Sequence, residues 1–365
     1  MGLIPKLLMG VILIVALGGA ILFWGSQSVF VPSHNKHVFT IPKCEPTNPE
    51  SPPCLKEEAE KMARDKDIKG AIAFAVERIA PQSRQQIHRA MHSLGHIAYT
   101  ALNDRVAALA FLPPDAFAED QYLIYEGFVH GVFMAYFNAE KQQVSFDDLI
   151  KESCGSFFRS EVGPTEPGWR AGKQCFHAVG HALMFALGNK TKEALQVCKN
   201  IPYAWAVERC GYGVLMELEY LYLPQYDPQA PRPDISGESL APFCDQFESF
   251  QEQCRMFIGR SYLRGHLNDY QGAFLACEDA QSLSAVCRRE VITIFITEAN
   301  GDFRAMKERC AQAGPQYELE CLATVSWALK TGYGGEKYRK TDFCAVLDDA
   351  LRPRCYLEAK NLKNL

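Results

Sequence analysis

The sequence predicts an all-α fold: a right-handed solenoid of about eight α/α hairpins, stapled by disulfides, behind one N-terminal transmembrane helix. Three observations predict it. Two interleaved ladders of cysteines share one period, apolar helical runs between the rungs end in Gly/Asn/Asp turns, and eighteen uncharged residues open the chain. The 365 residues are 48% hydrophobic and carry a net charge of −5, which allows a large core and excludes wholesale disorder. A weakly acidic surface excludes a nucleic-acid binder, which needs a basic face.

Residues 1–6 form a short stub carrying Lys6, and residues 7–24 contain no charge, enough to cross a hydrocarbon core. The stretch 26–35 has no Lys or Arg, so the positive-inside rule places the N-terminus in the cytoplasm and the rest outside. A cleavable signal peptide is the competing reading. Gly18, Gly19 and Ala20 are followed by Ile21, Leu22, Phe23 and Trp24, a poor cleavage context, which favours an uncleaved signal-anchor over residues 7–25. A Pro-rich linker, 26–54, leads to a helical half over 55–223, a Pro-rich insertion over 224–242 and a second helical half over 243–365. Within the first half, residues 55–79 read as one leading helix, and 85–102 and 122–138 as long helices of two cysteine-free units.

Cys244, Cys277, Cys310 and Cys344 recur at intervals of 33, 33 and 34 residues, and Cys254, Cys287, Cys321 and Cys355 at 33, 34 and 34. Such a period is the length of a two-helix unit. We denote the helix before each first cysteine A and the helix after each second cysteine B. Turns at Asn268-Asp269, Gly301-Asp302 and Gly334-Gly335 lead from B to the next A. The spacing pairs Cys154 with Cys175, Cys198 with Cys210, Cys244 with Cys254, Cys277 with Cys287, Cys310 with Cys321 and Cys344 with Cys355, while Cys44 and Cys54 clip the linker. Closing a loop of about ten residues contributes about 2.7 kcal/mol by chain entropy. Zinc sites favour cysteines two to four residues apart and c-type haem needs C-x-x-C-H; neither pattern occurs. Disulfides indicate an oxidising compartment: periplasm, extracellular space or secretory lumen.

On this period and hairpin grammar, residues 85–363 resemble the tetratricopeptide and Sel1-like helical repeats, some of whose exported members are disulfide-stapled. The resemblance implies architecture, and a concave face able to take a protein or peptide partner.

The chemical signal is in the histidines. His92-Ser-Leu-Gly95-His96 and His177-Ala-Val-Gly180-His181 repeat one motif, H-x-x-G-H, at the same phase of two B helices. Aligning Gly131 with Gly213 puts His130 at the first histidine position of the intervening unit and Tyr212 at that of the fourth, followed by Glu217 and Glu219. Residues i and i+4 share a helix face, so two imidazoles there can chelate an ion, with further ligands from another helix. The expected pool is His92, His96, His130, His177, His181 and Glu217, and mixed His/carboxylate ligation suits zinc, iron or manganese. His88 reads as flanking, because about 12 Å of helix rise separates it from His96. His34 and His37 fall in the linker and His266 at a turn. Both glycines indicate close helix approach or room for a ligand.

Imidazoles that only join stacked helices would give the same pattern, but the later B helices drop it: Arg255, Met256 and Arg260 stand near Gly259. Packed helices lie about 8–10 Å apart, so the first and third B helices of a flat stack are separated by about 16–20 Å. One centre therefore requires a tight curl; otherwise there are two sites. Met91, Met134, Met184 and Met216 read as core filling, and Arg260, Arg264, Arg288 and Arg289 as ion-paired. Asn189-Lys190-Thr191 is a glycosylation sequon. Two functions stand open: a metal-dependent hydrolase or oxidase acting outside the cytoplasm, or a membrane-tethered protein- or peptide-binding scaffold. Metal buffering without catalysis is a third.

Overall fold

The computed structural model describes residues 44, 47, 49–81, 84–113, 116, 122–157, 169–220, 241–266, 268–299, 301–330 and 342–361. The expected transmembrane run 7–24 and the Gly334-Gly335 turn lie outside them, as do most of the linker and most of the Pro-rich insertion. No described helix is long and apolar enough to cross a membrane.

Every regular element among the described residues is helical. The chain runs through α1 (Pro52–Arg64), α2 (Ile68–Arg78), α3 (Arg84–Leu102), α4 (Arg105–Leu109), α5 (Tyr122–Glu140), α6 (Phe146–Cys154), α7 (Trp169–Ala186), α8 (Thr191–Lys199) and α9 (Ala204–Tyr220). It continues through α10 (Ala241–Cys244), α11 (Gln251–Met256), α12 (Ile258–Gly265), α13 (Tyr270–Ala276), α14 (Ser284–Ala299), α15 (Phe303–Gln312), α16 (Glu318–Lys330) and α17 (Arg352–Asn361), with short 3₁₀ segments at Gly155–Phe157, Cys277–Leu283 and Phe343–Val346.

The turns into four of the shorter helices, α2, α4, α13 and α15, have one local cause. A residue in the left-handed region is followed by an aspartate whose carboxylate accepts backbone N–H groups of the first helical turn. Lys66-Asp67, Asn103-Asp104, Asn268-Asp269 and Gly301-Asp302 all do this, at φ of 72°, 50°, 64° and 88° for the first member. Such a cap contributes about 1 kcal/mol. The same device splits the segment 55–79, expected as one helix, into α1 and α2, because Lys66 reverses the chain and Asp67 caps the new start through Gly70 N–H.

All seven cysteine pairs are formed as the spacing predicts. The six within the helical array have Cα–Cα separations of 5.4–5.8 Å. They place the folded part in an oxidising, extracytoplasmic setting. Each of the six ties the end of an A element to the first half of the next B helix, except that Cys254 lies in the short α11 just ahead of α12. The B helices begin earlier than expected, at Ala204 before Cys210, Ser284 before Cys287 and Glu318 before Cys321, so the second cysteine sits inside helix rather than ahead of it.

Consecutive B helices pack side by side: α3 on α5, α5 on α7, α7 on α9, α9 on α12, α12 on α14 and α14 on α16. In addition α14 reaches α3, so this inner run curls back towards its own beginning. Phenylalanines 128, 133, 137, 176, 257, 274, 295 and 343 are fully buried, and the Phe137–Phe146 and Phe274–Phe295 ring pairs join long helices to shorter ones. In the later units Arg260 pairs with Glu290 at 2.8 Å, and Arg288 with Glu278 at 2.8 Å and Glu320 at 3.0 Å. Met91, Met134 and Met184 are buried in the core.

Two glycine pairs set the tightest packing. A Cβ on Gly95 of α3 would lie 2.1 Å from the Phe128 carbonyl oxygen of α5, and one on Gly131 2.0 Å from the His92 carbonyl oxygen. The same reciprocal contact joins α7 to α9, where Gly180 meets the Cys210 carbonyl at 2.2 Å and Gly213 the His177 carbonyl at 2.1 Å. Backbone has to yield at these positions. Gly180→Ala is therefore expected to destabilise by roughly 1–3 kcal/mol or more, as overpacking does. Gly172→Ala on the same helix meets nothing nearer than 3.4 Å, and chemical denaturation is expected to find it within about 1 kcal/mol of wild type.

Candidate metal centre

Three successive inner helices each present an i, i+4 pair to one space: His88 and His92 from α3, Glu126 and His130 from α5, His177 and His181 from α7. Glu217 on α9 reaches in behind them. His92, Glu126, His130, His177, His181 and Glu217 are buried, and His88 is partly so.

The contacts form a chain. His88 Nε2 lies 3.1 Å from His92 Nε2, which lies 3.1 Å from His130 Nδ1. On the other edge of the His130 ring, Nε2 is 3.7 Å from a Glu126 carboxylate oxygen, and that oxygen is 4.0 Å from His177 Nε2. His177 Nε2 faces His181 Nε2 at 2.7 Å, and His181 Nδ1 is bound to Glu217. Ring centroids of His130 and His181 are 4.3 Å apart. The histidine nitrogens fall into two triads, His88/His92/His130 and His130/His177/His181, each with its ligand atoms within 4.8 Å of one another. Either triad is compact enough to hold a metal ion.

Of the six residues expected from the sequence, five meet here and His96 does not. Its ring is exposed and stands against Phe185, with centroids 6.3 Å apart. The reason is a stagger: His92 is level with His181, at 6.1 Å between centroids, and not with its motif counterpart His177. Four residues of helix are about 6 Å. The equivalent histidines of α3 and α7 are thus one turn out of step: His92 stands where His96 was expected, and His88 where His92 was. The flanking reading of His88 gives way for the same reason. Glu126 was missed as well, although it stands four residues before His130, the spacing that marks the histidine pairs. Glu217 contacts the Nδ1 of His181, so it orients an imidazole instead of joining the triads. The Glu219 side chain lies outside the described part.

No family model, curated protein or solved structure matches this chain. The centre is therefore read from its own geometry.

Burial is the main influence on the imidazoles, since it removes water from their charged form. It pushes His88 down to about 3, with His181 and Arg89 adding repulsion. His92, His130 and His177 are held well below the ordinary imidazole value, first by burial and then by one another and by His181. Neutral imidazole is the form that binds metal, and protons compete poorly with an ion here at neutral pH.

His130 and His181 are 1% exposed, His92, Glu126 and His177 are 7–8% exposed, and His88 is partly exposed.

The lowered imidazole values have a consequence for metal-free protein with its disulfides intact. In the unfolded chain these histidines protonate near 6.5, whereas in the fold they resist protonation to much lower pH. Their folded values lie below the unfolded ones, so their contribution is complete above about pH 6.5 and is lost as pH falls towards about 3. Urea midpoints recorded in chelator are expected to hold steady from about pH 8 to about pH 6.5 and to drop steadily below that. A profile flat down to about pH 4 would place these rings in water.

Proposed function

We propose that this protein is a membrane-anchored, extracytoplasmic metalloprotein of the tetratricopeptide/Sel1-like kind, a right-handed α/α solenoid. Its inner helices hold a divalent transition ion through His130, His177 and His181, with Glu126 as carboxylate ligand. One observation carries the reading. Among the described residues, the buried His130 Nε2 makes no hydrogen bond, and it points at the Glu126 carboxylate from 3.7 Å. That distance is too long for a hydrogen bond and too short for an intervening water. A bare buried ring nitrogen costs about 1–3 kcal/mol, and an ion between the two groups removes the cost.

The other distances agree. Ligands at 2.0–2.1 Å from a tetrahedral ion stand about 3.3 Å apart, and the gaps from His130 through Glu126 and His177 to His181 run from 2.7 to 4.0 Å. Closing on an ion changes these gaps by about 0.4–0.7 Å and turns the His177 ring, which lies stacked on that of His130. Glu217 accepts from His181 Nδ1–H, which leaves Nε2 bare towards the centre; this carboxylate–histidine arrangement stands behind many metal ligands.

Three histidines and one carboxylate suit zinc, iron or manganese. Four protein ligands complete a tetrahedron, so water or a small substrate binds by expansion to five-coordination, which supports a hydrolase or, with iron or manganese, an oxidase. The later B helices have no such constellation and use Arg260 and Arg288 in ion pairs, so chemistry is assigned to the first four units and support to the rest.

Full-length protein made without a histidine tag in metal-replete medium is expected to carry at least one transition ion per chain by plasma mass spectrometry. His177→Ala and His181→Ala should reduce the inner ion sharply. A wild-type content near zero would end the proposal. Glu217→Gln, which keeps the shape and removes the charge, is expected to weaken metal affinity about 10–100-fold in chelator competition.

A further inference from the structure

We propose that the centre is binuclear: a second divalent transition ion is held by His88 Nε2, His92 Nε2 and His130 Nδ1, and the His130 ring bridges the two ions. This rests on the metal reading above and extends it.

The two nitrogens of His130 lie on opposite edges of its ring and meet different partners. Nε2 faces Glu126, and beyond it His177, whereas Nδ1 faces His92 at 3.1 Å. His92 Nε2 is in turn 3.1 Å from His88 Nε2, so three imidazole nitrogens from two helices converge on one point. A spacing of 3.1 Å is that of neighbouring ligands around an ion bound at 2.0–2.1 Å. His88 and His92 are an i, i+4 pair with both Nε2 atoms turned to the same place, the bite of a helical chelate.

His88 is the partly exposed member, and it puts the second ion at the solvent end with a path for entry and exchange. On binding the second ion, His130 gives up its remaining ring proton to solvent and becomes an imidazolate, one nitrogen to each metal.

The alternative is a single ion at His130 Nε2, with His130 Nδ1–H donating to His92 and no metal near His88. Full-length protein is stripped with chelator under non-reducing conditions, reloaded with zinc and counted after dialysis. Two ions per chain in wild type and one in His88→Ala and in His88→Gln are expected, with unchanged far-ultraviolet circular dichroism. Reloading with copper(II) should give a spin-coupled pair, whose low-temperature resonance integrates to far below two spins per chain.

One ion per chain, retained in His88→Ala but lost in His177→Ala, overturns the second site and leaves the first standing. Two ions retained in His88→Ala, or two copper ions without coupling, overturn the bridged arrangement. No ion in wild type removes both readings.

Discussion

The arrangement depends on backbone touching backbone. Where Gly95 meets the Phe128 carbonyl and Gly131 meets the His92 carbonyl, α3 and α5 come closer than side chains of ordinary size allow; Gly180 and Gly213 do the same for α7 and α9. Cα–H···O contacts of this kind are individually weak. Their effect is geometric: each fixes the rotation of one helix on the next, and so decides which residues face inward. His92 and His177 present their carbonyls to the glycine contact, and their rings are aimed inward from the same positions. Packing and chemistry are thus set by the same few residues. A bulkier residue at any of these glycines would displace histidine-bearing helix as well as loosen the core.

Much of the helical architecture was legible because local rules govern it. Cysteine spacing defined the corners, and Asn268-Asp269 and Gly301-Asp302 announced the turns. Lys66-Asp67 escaped notice because lysine is an unusual residue at a left-handed position, and only its aspartate neighbour hinted at a new helix start. The return of α14 to α3 was not legible. Curl accumulates from small rotations at every helix pair, and no single residue encodes it.

The site was legible in its composition and not in its phase. H-x-x-G-H combines two requirements: glycine serves the helix–helix contact and histidine serves the centre. Matching the motif between units aligned the glycines correctly. It then placed His96 beside His181's partners, because the one-turn stagger between α3 and α7 cannot be seen without the curl. His88 and Glu126 each stand one turn ahead of a histidine already singled out. Extending the i, i+4 test backwards from His130 finds Glu126, whereas His88 was set aside because His96 was taken as the fixed partner of His92. Glu217 was located correctly as a neighbour, and only its bond to His181 Nδ1 reveals an orienting part.

Every bridge joins a cysteine to the next one along the chain, over 10 to 21 residues, and no cysteine is left free. An oxidant meeting the polypeptide as it emerges from a translocation pore needs only to couple each new thiol to its predecessor. A chain exported N-terminus first would reach the native set in this order, with no shuffling of wrong partners by an isomerase. In that order the Cys198–Cys210 bridge closes after every histidine of the cluster has emerged, and Glu217 follows seven residues later.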